Sequence, residues 1–199
     1  CVNGNSIGDD IQTASKWTQD LITTRDKPVF KGGSIAVLSG TLAPGSAIIK
    51  QSAASSNLLV HEGKAVVFEN LEDLANRVDT EELDVSQDDV LVLKSIGPKG
   101  GPGMPEAGLI PIPKTLARQG VKDMVRISDG RMSGTASGTI VLHVTPESYE
   151  KGPLAIVQNG DLIKLDVPNR KIDLLISEDE MNKRILLLSD DKTKRRGYN

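Results

Sequence analysis

Two short stretches of the chain gather side chains able to do chemistry. In the first, GPKGGPGMPEAG (Gly97 to Gly108), five glycines and three prolines surround a single carboxylate, Glu106. Glycine permits positive φ and close backbone approach, and proline fixes φ, so such a loop is shaped and stiff. It can present one carboxylate at small entropic cost. The same composition suits a purely structural Ω-loop, and the residue types leave both readings open. A phosphate cradle is disfavoured, because no Gly-Lys-Ser/Thr follows the glycines and no G-x-G-x-x-G opens a helix.

The second stretch, RISDGRMSGTASGTIVLH (Arg126 to His143), collects Ser128, Asp129, Arg131, Ser133 and Thr135 in one polar turn between the apolar runs MVRI and TIVLHV. Ser133, followed by Gly134 and close to Gly130 and Gly138, can have an exposed hydroxyl. It suits a nucleophile, a general base or a turn former. The elbow G-x-S-x-G of acyl-transfer enzymes is absent, since Arg131 and Met132 precede Ser133 and Thr135 follows Gly134. Residue types alone favour a Ser/Thr turn bonding its own backbone. His61 and His143 have no ligand at i+4 and no C-x-x-C nearby, so a zinc centre is not expected and both histidines are read as hydrogen-bonded structural residues.

The elements that must position these loops are mostly short strands. SIAVLSG (Ser34 to Gly40), AIIK (Ala47 to Lys50), KAVVFE (Lys64 to Glu69), DDVLVLKS (Asp88 to Ser95), MVRI, TIVLHV, PLAIV (Pro153 to Val157), DLIKLDV (Asp161 to Val167) and KIDLLIS (Lys171 to Ser177) all read as β. PNR joins the last two as a hairpin, and QSAASS is a small-residue turn. Helices are expected around Asp10 to Ile22 and over LEDLANRV, where Leu71, Leu74, Ala75 and Val78 recur at helical spacing. Two more are expected: PKTLARQG, with Pro113 in its first turn and Gly120 as its cap, and a C-terminal helix opened by a capping box of Ser177 and Glu180. Strands that do not alternate regularly with helices argue against a doubly wound sheet. The class expected is α/β, rich in β, with peripheral helices.

Composition narrows the partners. Aromatic residues are only 3% of the 199, so the core must be aliphatic. A net charge of −3 and a pI near 5.5 give no basis for a nucleic-acid or anionic-membrane partner. No run of 18 apolar residues suggests a membrane span. The first residues, CVNGNSIGDD, lack a basic and then apolar signal region, and the cytoplasm is the expected compartment. Cys1 is the only cysteine, too few for an intrachain disulfide or for an iron–sulfur cluster, which takes about three or four thiolates.

Taken together, the glycine loop and the serine turn resemble the C-terminal signature of the dihydroxy-acid and phosphogluconate dehydratase family. GGSIAVLSGTLAPGSAIIKQSAAS (Gly32 to Ser55), HEGKAVVFENLEDL (His61 to Leu74), GPLAIVQNGDLIKLDV (Gly152 to Val167) and KRRGYN (Lys194 to Asn199) are similar to family segments and fall in the same order. PIPKTL after the carboxylate, and RMSGT where the branched-chain enzymes tend to carry an RFSGG-like turn, look more like the sugar-acid dehydratases of the arabinonate or xylonate type.

The resemblance implies a swivelling β/β/α domain with a barrel-like mixed sheet over residues 31–199, and an interdomain connector over residues 1–30. It implies that the chain is a C-terminal fragment, cut near KRRGYN, whose cluster-binding N-terminal domain lies outside it; that domain and further copies of the enzyme are then the partners, beside a small-molecule sugar acid or 2,3-dihydroxy acid. Dehydration across C2 and C3 to a 2-keto-3-deoxy acid is the implied reaction. The family's iron–sulfur cluster takes the C3 hydroxide, Glu106 matches a Mg²⁺ ligand, Ser133 matches the base, and Thr135 matches a position beside it. Arg131 and Asp129 are candidates for substrate binding or for an internal Asp–Arg pair that fixes the turn. Cys1 matches no cluster ligand. Branched-chain dihydroxy-acid dehydration is the alternative within the family, and a non-catalytic swivelling-domain binding module the alternative outside it.

Overall fold

The computed structural model describes residues 2–15 and 21–188. Cys1 and KRRGYN lie outside them. The chain forms two compact units, Cys1–Gly32 and Gly33–Asn199. In the first, helix α1 (Ile7–Thr13) begins earlier than expected, because Ser6 and Asp9 form a capping box that satisfies both ends of the first turn. It buries no residue. KPVF (Lys27 to Phe30) is a run of bends without strand pairing.

The second unit is a nearly closed barrel. Its strands are β1 (Ile35–Leu38), β2 (Ser46–Lys50), β3 (Val60–Phe68), β4 (Val90–Leu93), β5 (Arg126–Ser128), β6 (Ile140–Thr145), β7 (Leu162–Asp166) and β8 (Lys171–Leu174). They lie side by side as β1-β2-β6-β5-β4-β3-β7-β8. Neighbours in the run β3-β4-β5-β6 are parallel and the other pairs antiparallel, which is the mixed sheet expected. Residues just after β1 close the seam against β8. Ser39 bridges Lys171 and exchanges backbone bonds with Arg170 and Ile172, and the Thr41 hydroxyl pairs with the backbone of Leu174. Closure leaves few unpaired edge groups. Gly40 sits in this seam because a Cβ there would lie 2.1 Å from the Ile172 carbonyl.

Alternation along the strands sorts the aliphatic side chains into two layers. Ala65, Val67, Val90, Val92, Val125, Ile127, Val141 and Ile163 fill the barrel, while Val66, Phe68, Leu91 and Leu93 point outward. Helix α2 (Leu71–Arg77) and helix α3 (Lys114–Arg118) cover that outer layer with Leu74, Val78 and Leu116. Each such side chain contributes about 1.5–3 kcal/mol on full burial. The stripe on α2 is narrower than its periodicity suggests, since Leu71 and Ala75 stay exposed.

PLAIV differs from expectation in kind. Pro153 lacks an N–H and follows Gly152, whose carbonyl accepts from Ala155, so residues Pro153–Ile156 coil into a 3₁₀ turn that still buries Leu154, Ile156 and Val157. In α4 (Glu178–Leu187) Ser177 caps the Glu180 N–H as expected. The Glu180 carboxylate bonds Arg184 instead of completing the box. Among the described residues no helix is long and apolar enough to cross a membrane.

Candidate functional site

Strands β4 and β5 are parallel neighbours, with Leu93 paired to Ser128, so the loops leaving their carboxyl ends emerge side by side. That end of parallel strands is where loops converge into sites. The glycine loop follows β4 and the serine turn follows β5. The two interlock through backbone. Gly108 donates to the Arg131 carbonyl at 2.8 Å, and a Cβ on Gly108 would meet that carbonyl and the Leu142 side chain. A Cβ on Gly130 would strike Ile96 at 2.3 Å.

Two buried carboxylates hold the start of the glycine loop. Asp129, 1% exposed, accepts from the Ile96 N–H at 3.1 Å and from the Ser148 N–H and hydroxyl, while the Ser148 hydroxyl accepts from the Ser95 N–H. Glu147 accepts from the Lys99 N–H at 2.9 Å and the Gly100 N–H at 3.3 Å. At the far end, the Arg126 guanidinium donates to the carbonyls of Leu109, Ile110 and Met124 and pairs with Asp123 at 2.7 Å. Burial pushes the Asp123 carboxyl up. Donors from the Thr139 backbone, the Ser55 and Thr139 side of the loop, and the Arg126 charge outweigh that push and hold it below its ordinary value. Burial lowers the Arg126 pKa against the raising influence of Asp123.

Glu106 lies between these anchors and is half exposed. Its Oε1 accepts from Arg131 Nη1 at 2.9 Å, and Arg131 Nε donates to the Met104 carbonyl at 2.7 Å. Two residues further on, the Ser133 hydroxyl lies 3.0 Å from the Thr135 hydroxyl. The turn rests on residues after β2: Ala53 accepts from the Gly138 N–H, and the Ser55 N–H donates to the Thr139 hydroxyl. The structure thus joins Glu106 to the turn of Ser133 and Thr135 through Arg131. It separates Asp129 from them. The Asp129–Arg131 pair is not formed, because Asp129 is committed to the backbone of Ile96 and to Ser148 while Arg131 is committed to Glu106.

His143 stands where β6 carries one more residue than β2 between the pairs Ile48–Leu142 and Ser46–Thr145. This bulge puts its φ at 52° and sends its N–H to the Gly130 carbonyl. With Pro98, Pro146 and Glu147 it lines a groove of about 370 Å³ beside the glycine loop. His61 makes the structural bond expected of it, to the Asp88 carbonyl at 2.8 Å. Residue types did not single out Asp123, Arg126, Glu147 or Ser148 as supports of the site. Their partners are backbone groups, invisible to pattern, although a cation inside the apolar run MVRI was a signal for Arg126.

Among the described residues no three His, Cys, Asp or Glu side chains cluster to hold a metal. Glu106 nonetheless fits a single ligand of a hard cation, since its Oε2 makes no bond among the described residues. An iron–sulfur cluster does not fit this chain, whose one cysteine is Cys1.

Residues 20–198 match the family described as dihydroxy-acid/6-phosphogluconate dehydratase C-terminal. The chain is 47% identical over 184 residues to an L-arabinonate dehydratase of Rhizobium leguminosarum, covering 92% of this chain and 32% of the relative. It is 50% identical over 184 residues to an L-arabonate dehydratase of Azospirillum brasilense, with the same coverage, 92% and 32%. A dihydroxy-acid dehydratase of Carboxydothermus hydrogenoformans is 42% identical over 184 residues, again 92% and 32% of the two chains. The chain therefore spans about a third of the length of these relatives. A match over nearly its whole length, on a mixed barrel that brings the glycine loop against the serine turn, makes this chain a member of the dihydroxy-acid/6-phosphogluconate dehydratase C-terminal family.

Proposed function

We propose that this chain serves as the C-terminal domain of a larger hydro-lyase that dehydrates a 2,3-dihydroxy carboxylate, a sugar acid first among them, to a 2-keto-3-deoxy acid. The observation that carries the reading is Arg131, which belongs to the turn of Ser133 and holds the Glu106 carboxylate at 2.9 Å. That contact ties the turn of Ser133 to the Glu106 carboxylate and supports reading the two as parts of one site. The sugar-acid substrate is supported by relatives named for arabinonate at 47% and 50% identity, against 42% for the dihydroxy-acid enzyme.

The ionised Ser133 Oγ takes the C2 proton, the C2–H electron pair becomes the C2=C3 bond, and the C3–O bond breaks with its electron pair leaving on hydroxide; the proton held by Ser133 then passes to that hydroxide, which leaves as water and restores the ionised serine. The enol then tautomerises to the 2-keto product. Thr135, 3.0 Å away, donates to the Ser133 oxygen and supports its ionised form. Arg131 Nη2, which makes no bond among the described residues, meets the substrate carboxylate. Asp129 acts at one remove, by holding Ile96 and Ser148. Glu106 would hold Mg²⁺ through Oε2, and that ion supplies positive charge against the developing enolate. Departure of the C3 hydroxyl is assigned to no residue of this chain; cluster ligands belong to the proposed N-terminal domain. The resemblance also supports a cytoplasmic homo-oligomer.

The test is turnover of the full-length enzyme, anaerobically reconstituted with iron, sulfide and Mg²⁺, on arabinonate, xylonate and 2,3-dihydroxyisovalerate. A 2-keto-3-deoxy product that Ser133→Ala reduces by about 10²- to 10⁴-fold is the expected result. Turnover of 2,3-dihydroxyisovalerate alone would reassign the substrate, and no turnover by a cluster-loaded enzyme would favour a binding module.

A further inference from the structure

Lys50 ends β2 on the outer face of the barrel, beside neither its core nor an acidic partner. Its ammonium donates at 2.9 Å to the carbonyl of Gly134, the residue between Ser133 and Thr135. Among the described residues it forms no ion pair, although lysines 94, 99, 114 and 183 all do. The position is firm. Ile49 pairs with Val141 of β6 and Lys50 itself with Ile35 of β1, so the side chain leaves from the paired end of β2. The residues that follow it seat the rest of the turn: Ala53 takes the Gly138 N–H, and Ser55 reaches Thr139. Lys50 is the first point of a three-point seat and its cationic one, while the Asp123 carboxylate accepts from the Ser55 and Thr139 N–H groups at the other end.

We propose that Lys50 is the positioning residue for Ser133, an inference that rests on the reading of Ser133 as base. By fixing the Gly134 carbonyl it sets the direction in which the neighbouring hydroxyl points. The peptide carrying that hydroxyl is otherwise flanked by Gly134, which has open space around it and resists no rotation by packing. The ammonium also brings to the turn a positive charge with no ion-pair partner among the described residues, which favours an ionised oxygen over a neutral one. An ion pair would have cancelled that charge; a neutral carbonyl partner orients it without neutralising it.

The experiment compares the full-length enzyme with Lys50→Met, Lys50→Gln and Lys50→Arg, by steady-state kinetics and by hydrogen exchange of residues 133–138. Loss of a charge-assisted bond predicts a kcat about ten- to a hundredfold lower for Met, with KM changed by less than about threefold. Arginine restores most of the rate and glutamine, a donor without charge, restores little. Exchange of the turn amides in Lys50→Met speeds up by about tenfold or more while β4 and β5 stay protected. Parent-like kcat in Lys50→Met, or arginine no better than methionine, overturns the proposal. Ser133→Ala, run alongside, separates the two readings. If that variant keeps its turnover, the base assignment falls and exchange alone decides whether Lys50 holds the turn; if it loses turnover while Lys50→Met does not, only Lys50 is wrong.

Discussion

Asp123→Ala should be the most damaging polar substitution in the barrel. Its carboxylate receives the Arg126 guanidinium at 2.7 Å, the Thr139 hydroxyl at 2.7 Å and the N–H groups of Thr139 and Met124 at 3.0 Å. The side chains of Arg126 and Asp123 are only 5% and 11% exposed. Truncation leaves a buried guanidinium without a counter-charge, which costs about 3–5 kcal/mol. For a chain of this size that lowers the midpoint of thermal unfolding by about 6–20 °C. Urea denaturation of the 199-residue chain measures the loss. Asp123→Ala combined with Arg126→Met should be less destabilised than the sum of the single variants by more than about 1 kcal/mol, since the orphaned charge has gone. The pH dependence has a definite sign. The folded Asp123 carboxyl titrates below its ordinary 3.8, so its contribution is complete above pH 3.8 and disappears as pH falls through the lower folded value. The gap between parent and Asp123→Ala should therefore narrow only in that acid range. A single-variant loss under about 1 kcal/mol, or a gap unchanged by acid, would refute the reasoning.

Two further substitutions test the supports. Glu147→Ala removes the acceptor of the Lys99 N–H at 2.9 Å, worth about 1–3 kcal/mol if that donor is left buried and unpaired, and should raise hydrogen exchange over residues 97–104 well beyond the change in β4. Gly40→Ala drives a Cβ to 2.1 Å from the Ile172 carbonyl and 2.4 Å from the Asp173 carboxylate, so β8 should detach first, seen as early loss of amide protection over residues 171–174.

Much of the architecture was legible because aliphatic alternation is a local property. β4 reads as a continuous apolar run since both its faces are buried, and β7 and β8 read as a hairpin since PNR leaves Arg170 at a φ of 58° between them. PLAIV failed for the same locality: apolar content marks burial, and Pro153 decided how the backbone would reach it. The helix near the start begins at Ile7, ahead of Asp10, because Ser6 and Asp9 cap it there; residues 16–20 of the expected span lie outside the described residues.

For the site, the chain's own residues determined the chemical inventory: one carboxylate on a glycine and proline loop, one serine in a glycine-flanked turn, and a family order of motifs. Only the tertiary structure decided which of these meet. Parallel pairing of β4 with β5 set the two loops side by side, gave Arg131 to Glu106 and withdrew Asp129 into a buried backbone clamp, while pairing of β2 with β6 brought Lys50, 84 positions before Gly134, to the turn of Ser133. The physical reason is that these partners are mostly backbone amides and carbonyls. Every residue carries them, so no pattern of side chains along a sequence can announce which one a carboxylate or an ammonium will find.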